Sequence, residues 1–131
     1  MRVYKKSKLD NGLRVISSYI PQTEAVNISI WFKAGSRYEK EDEKGYAHLF
    51  EHLIFSGNSK YKNNFEIASA VERRGGYING WTSRNYIYFE VKVATEYAEE
   101  MFQLLSDMVI HPLLRVEDLT KDKEIVVREI H

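Results

Sequence analysis

The chain has 131 residues, 19 basic against 19 acidic side chains, 44% apolar residues, two prolines and no cysteine. A chain of this length hides roughly two thirds of its unfolded surface, enough for one globular domain, and its composition excludes a collagen-like or disordered polymer. Without cysteine there is no disulfide framework, thiolate metal site or cysteine nucleophile, so any metal must be held by nitrogen and oxygen; zero formal charge gives no basic field for nucleic acid.

Val3 to Leu9 and Leu13 to Ile20 read as two strands joined by Asp10-Asn11-Gly12, because Asn-Gly accepts the positive φ of a tight turn. After Pro21, Val26, Ile28, Ile30 and Phe32 alternate with Asn27, Ser29 and Trp31, which predicts a strand buried on one face. The charged stretch from Gly35 to Lys44 reads as a loop. Helical spacing then places Leu49 with Leu53 and Phe50 with Ile54 in a helix that stops near Gly57. A second helix runs from about Asn64 to Arg74, with Asn63 and Glu66 spaced as a capping box and Gly75-Gly76 as its stop. Two strands follow, Tyr77 to Thr82 and Asn85 to Ala94, the second turning Ile87, Phe89, Val91 and Val93 inward. The third helix takes Thr95 as its N-cap, aligns Tyr97, Met101, Leu104 and Met108 on one stripe and ends before Pro112. The last runs from about Val116 to His131. Three strands, two helices, two strands and two helices predict an α+β fold, an antiparallel sheet with its helices gathered on one face.

The longest unbroken apolar run, Tyr86 to Phe89, is four residues long, against the ~20 that cross a bilayer. The first residues alternate without the apolar core of a secretory leader, so the expected compartment is the cytoplasm, with no membrane and no nucleic acid as partner. The lysines at 5, 6, 8, 121 and 123 read as solvated edges.

The first helix carries His48-Leu49-Phe50-Glu51-His52. Residues four apart on a helix differ by about 40° in azimuth, so the two imidazoles leave the same face and can chelate one ion. Glu51 precedes the second histidine and is placed to hydrogen-bond a water at that ion. The plain alternative is a pair of histidines with ordinary hydrogen-bond partners. A third ligand would decide, and the last helix offers acids: Leu119, Asp122, Val126 and Glu129 share one face. Asp122, Glu124 and Glu129 also alternate with Lys121, Lys123 and Arg128 as solvated salt-bridge pairs would. Spacing alone does not choose among the three acids.

The run Gly45-Tyr46-Ala47-His48-Leu49-Phe50-Glu51-His52-Leu53-Ile54-Phe55-Ser56-Gly57 resembles the zinc-binding signature of the pitrilysin/insulinase family of metallopeptidases, the M16 or inverzincin group. The segment from Leu9 to Val15 resembles that family's opening hairpin, the segment from Gly75 to Thr82 its substrate-binding strand, and the segment from Val126 to Ile130 the helix that brings its third ligand. The resemblance implies one Zn2+ held by His48, His52 and Glu129 with water in the fourth position, and Glu51 as the base that activates this water for peptide-bond hydrolysis. Asp122 stands where many members carry a second glutamate, which implies a role supporting the ligands from behind. Asn79, Gly80 and Trp81 fall on the strand that takes peptide substrate as an added β-strand, Gly80 standing where alanine is frequent. Trp81 reads either as a pocket-lining residue or as an ordinary core aromatic. His111, before Pro112, reads as a helix C-terminal residue favoured by the dipole.

Family enzymes are longer, built of related halves that close around the substrate. Residues 1–131 are therefore expected to be the zinc-binding, N-terminal part of one peptidase domain, completed by a homologous C-terminal half or a partner subunit. The alternatives are a noncatalytic scaffold or regulatory subunit of the same fold, and a truncated fragment inactive without its other half.

Overall fold

In the computed structural model, which describes residues 4–130, five strands and four α-helices follow the predicted order. Val3 and His131, expected at the outer ends of the first strand and the last helix, lie outside the described residues. Strands β1 (Tyr4–Lys8) and β2 (Arg14–Ser18) form the Asn-Gly hairpin, in which Gly12 adopts φ 89° and Asn11 accepts a hydrogen bond from the Leu13 amide. Every residue of both strands is exposed. The expected single sheet is therefore two. The hairpin forms its own ladder, and β3 (Ala25–Phe32), β5 (Ile87–Ala94) and β4 (Tyr77–Thr82) form a second antiparallel sheet in the order β3-β5-β4. Alternation reports which face of a strand is buried but not which strand it pairs with, so sequence had no means to separate them.

The central strand β5 turns Ile87, Phe89, Val91 and Val93 inward, and its register pairs Phe89 with Ile30 on one side and Gly80 on the other. Against this face pack α1 (Tyr46–Phe55), α2 (Asn64–Glu72) and α3 (Ala98–Ile110), which bury Ile54, Ile67, Val71, Met101, Leu104, Leu105 and Met108. The fourth helix, α4 (Val116–Ile130), packs against α1 and buries Val126. With β5 paired on both edges, β4 keeps one edge that no other described strand covers.

Local signals were met unevenly. Asn63 caps α2 by accepting from the Glu66 amide, but Glu66 receives the Lys62 amide instead of completing a reciprocal box. Thr95 does not cap α3: its hydroxyl and amide both donate to the Glu24 carbonyl, so a 3-10 turn intervenes and the helix begins at Ala98. A tertiary acceptor just before β3 has outcompeted the cap. The segment read as a loop contains two short 3-10 turns, Ser36–Tyr38 and Glu41–Glu43.

Phe89 is fully buried at the centre of this layer, touching the rings of Phe32 and Phe55. Phe89→Ala should lower unfolding free energy by about 3–5 kcal/mol, the range for truncating a buried aromatic, measured as a fall in the urea midpoint with unchanged slope.

Candidate metal centre

The helix that presents the two histidines is started by a remote side chain. Gly45 precedes α1 at φ 92°, and the Glu39 carboxylate accepts the amides of Gly45 at 3.0 Å and Ala47 at 2.8 Å. An acid on these unpaired amides also complements the positive end of the helix dipole. One turn in, His48 and His52 sit edge to face with ring centroids 4.8 Å apart and Nε2 atoms 3.2 Å apart.

From α4, the Glu129 Oε2 atom comes within 3.3 Å of His48 Nε2 and 3.6 Å of His52 Nε2. These three are the group of potential metal ligands found among the described residues. Bonds of about 2.0–2.2 Å to a tetrahedral ion put neighbouring donor atoms roughly 3.3–3.6 Å apart. The observed triangle has that size, and two imidazoles with one carboxylate are a donor set that suits Zn2+. The residues therefore fit the ion that the sequence resemblance implies. Glu124, an equal candidate by spacing, is not in the group.

Glu51 leaves α1 toward the sheet. Its Oε2 accepts a hydrogen bond from the Thr82 hydroxyl at the end of β4, and its Cγ would lie 3.1 Å from a Cβ at Gly80. Gly80 and Thr82 are two apart and so share the strand face toward α1. Thr82 was missed by the sequence reading, although that same two-residue period from Gly80 pointed to it. Asn79 and Gly80 line an open groove of about 530 Å3 that begins at Glu51 and His52 and extends between β4, α2 and α4. Trp81 is not brought there: it occupies the opposite face of the sheet, 57% exposed and in register with Tyr88, so neither the pocket nor the core reading describes its place in this chain.

Asp122 does not reach the histidines. It is 7% exposed and accepts a 2.9 Å hydrogen bond from Ser56, the C-cap of α1. The Ser56 carbonyl in turn accepts from Arg115 Nη2 at 2.9 Å, while Arg115 Nε donates to Asp118. That hydrogen bond, reinforced by the charges of Asp118 and Glu117, raises the Arg115 pKa further above its ordinary value, so the guanidinium stays cationic. Arg115 and Asp118 had no sequence signature, and Ser56 stood in the metal-binding run with no role assigned to it. His111 is the C-cap of α3, as expected, and also pairs through Nδ1 with Asp107 at 2.9 Å.

The chain is similar to known proteins over nearly its whole length. The sequence model described as Insulinase (Peptidase family M16) matches residues 14–131. An uncharacterized zinc protease of Bacillus subtilis strain 168, YmxG, is 35% identical over 126 residues, covering 96% of this chain and 31% of that protein. The β subunit of the mitochondrial-processing peptidase of Saccharomyces cerevisiae is 31% identical over 125 residues, covering 95% of this chain and 27% of that one. Among solved structures, a protease from Helicobacter pylori superposes with a TM-score of 0.91 at 26% identity, over 98% of this chain and 31% of that chain. The chain thus spans about a third of the length of the curated relatives it matches.

A Cβ at Gly80 would stand 2.7 Å from the Phe55 ring and 3.2 Å from that of Phe89. Gly80→Ala should therefore destabilise by about 1–3 kcal/mol through overpacking, and Phe55→Leu should recover part of that loss in the double variant. Urea midpoints of the four proteins of this cycle measure both terms.

Proposed function

Because the chain belongs to the insulinase family of peptidases, peptidase family M16, we propose that it is the zinc-binding part of an endopeptidase that hydrolyses peptide bonds in peptides or unfolded segments. The observation that carries this reading is the triangle of His48, His52 and Glu129, with a second acid, Glu51, on the same helix as the histidines but turned to the sheet edge. The name zinc protease on its relatives supports the choice of metal. Residues 1–131 form one part of a peptidase domain in this reading, and a homologous second half or partner subunit completes it.

His48, His52 and Glu129 would hold the zinc, which when bound supplies a Lewis acid for water and for the scissile carbonyl. The free edge of β4 takes the peptide as an added strand, so main-chain hydrogen bonds bind it without reading much sequence. The Glu51 carboxylate accepts a proton from the attacking water and returns it to the amine nitrogen as the carbon–nitrogen bond breaks. Thr82 holds one carboxylate oxygen and so leaves the other for the proton. Gly80, alongside, lets Phe55 and the Glu51 side chain pack close against the strand.

Pure protein should contain stoichiometric zinc by metal analysis, and its absence from the wild type would sink the reading. Glu51→Gln should keep the zinc and abolish cleavage of a quenched peptide, whereas Glu129→Gln should weaken zinc binding by calorimetry more than the roughly tenfold to hundredfold typical of losing an outer-shell partner. Thr82→Val should leave zinc content intact and lower kcat by roughly tenfold to hundredfold through misplacement of Glu51. The hydrolysis assays are made with the homologous half supplied. Normal zinc binding with no hydrolysis in that assembly would favour the scaffold reading instead.

A further inference from the structure

Building on the endopeptidase reading, we propose that the groove beneath the free edge of β4 receives a basic side chain of the substrate, and that Asp122 is the acid that selects it. The groove holds about 530 Å3 and passes from Glu51 and His52 to α2 and α4. Side chains of an added strand alternate between the two faces of the sheet, so every second one enters on the Gly80 side. The one nearest Glu51 flanks the bond being cut.

The groove wall is amphipathic in a way that suits an alkyl stem ending in a cation. Phe55, Ala68, Ile78 and Ile125 give it an apolar lining, and Asp122 contributes a carboxylate that is 7% exposed. Lysine and arginine bury their methylenes on such a surface while the head group reaches an acid. Asp122 Oδ2 accepts from Ser56, and no donor among the described residues meets Oδ1.

The other charges in the groove do not cancel this acid. Its lining holds Glu51, Glu72, Asp118 and Asp122 against Arg115 and Lys121. Arg115 is committed to Asp118 and to the Ser56 carbonyl, and Glu51 is committed to the reaction. Glu72 and Asp122 then outnumber Lys121, which is exposed and forms no ion pair among the described residues. Lys121 also precedes Asp122 on α4, a step of about 100° around the helix, so the two leave in different directions. An apolar side chain in the groove would strip water from Asp122 without replacing it, and an acidic one would add repulsion.

The test uses the zinc-loaded Glu51→Gln chain with its homologous half supplied, and three labelled decapeptides carrying Lys, Leu or Glu at every second position, with binding followed by fluorescence anisotropy. The Lys peptide should bind at least about tenfold more tightly than the Glu peptide, and Asp122→Asn, which keeps an oxygen for Ser56, should bring the two within about threefold. Lys121→Glu, at the groove rim, should strengthen Lys-peptide binding and carries the test should Asp122→Asn fail to fold. Equal binding of the Lys and Glu peptides, or a Lys preference that both substitutions leave unchanged, overturns the assignment. If no peptide binds although zinc is present stoichiometrically, the peptidase reading falls, and the pocket assignment with it.

Discussion

The contact between α1 and α4 sets the distances at the metal-ligating triangle, because His48 and His52 belong to one helix and Glu129 to the other. Packing of apolar side chains alone tolerates sliding of one helix along its neighbour. Directional bonds do not. Ser56, at the end of α1, gives its hydroxyl to Asp122 and its carbonyl to Arg115, so two groups of the α4 segment are tied to one residue. This anchor lies one helical turn from His52 and about two turns from Glu129, close enough to fix where the carboxylate arrives. The burial of Asp122 adds to its rigidity, since removing the Ser56 hydroxyl would leave a carboxylate oxygen without its partner.

The second constraint runs from α1 to the sheet. Glu51 is held by Thr82 and packs against Gly80, so the acid on the metal helix and the free edge of β4 are registered to each other through one strand face. β4 in turn takes its register from β5, which is anchored by Phe89 and its neighbours in the core. A chain of contacts therefore leads from the central strand to the acid, and a shift of β4 by one residue would turn Gly80 and Thr82 away from α1. The glycine is what permits the close approach: with no side chain there, the Phe55 ring occupies the space that a methyl group would claim.

Sequence carried most of the elements and the local half of the centre. His48, Glu51 and His52 are related by helical geometry, and nothing outside their own turn is needed to place them together. Glu129 was legible only as one of several acids on α4, because spacing reports azimuth and not which neighbour a helix meets. The resemblance, not the periodicity, singled it out. What could not be read depends on tertiary contact: Glu39 capping α1, Thr95 spent on Glu24, Ser56 joined to Asp122, and a hairpin that stands apart from the main sheet. Trp81 shows the same limit from the other side. A strand residue beside Gly80 was read into the substrate strand, yet the two-residue period that puts Gly80 against α1 turns the indole to the opposite face.

The triangle is geometrically complete within this chain but not dry. The side chains of His48 and His52 are 30% and 23% exposed, and that of Glu129 is 51% exposed. Charges in contact with bulk water are screened, and preorganised groups act on developing charge far more strongly where water is excluded. The open groove beside Glu51 presents the same need, since an extended peptide added to β4, as proposed, would be covered here on one side only. The physical demand is for a second surface that meets the β4 edge from the opposite side and shuts water out once the peptide is in place. In the proposed reading a homologous half or partner subunit would meet that demand without contributing a metal ligand, which would separate the two tasks: this chain would assemble the donors, and closure would make their electrostatics effective.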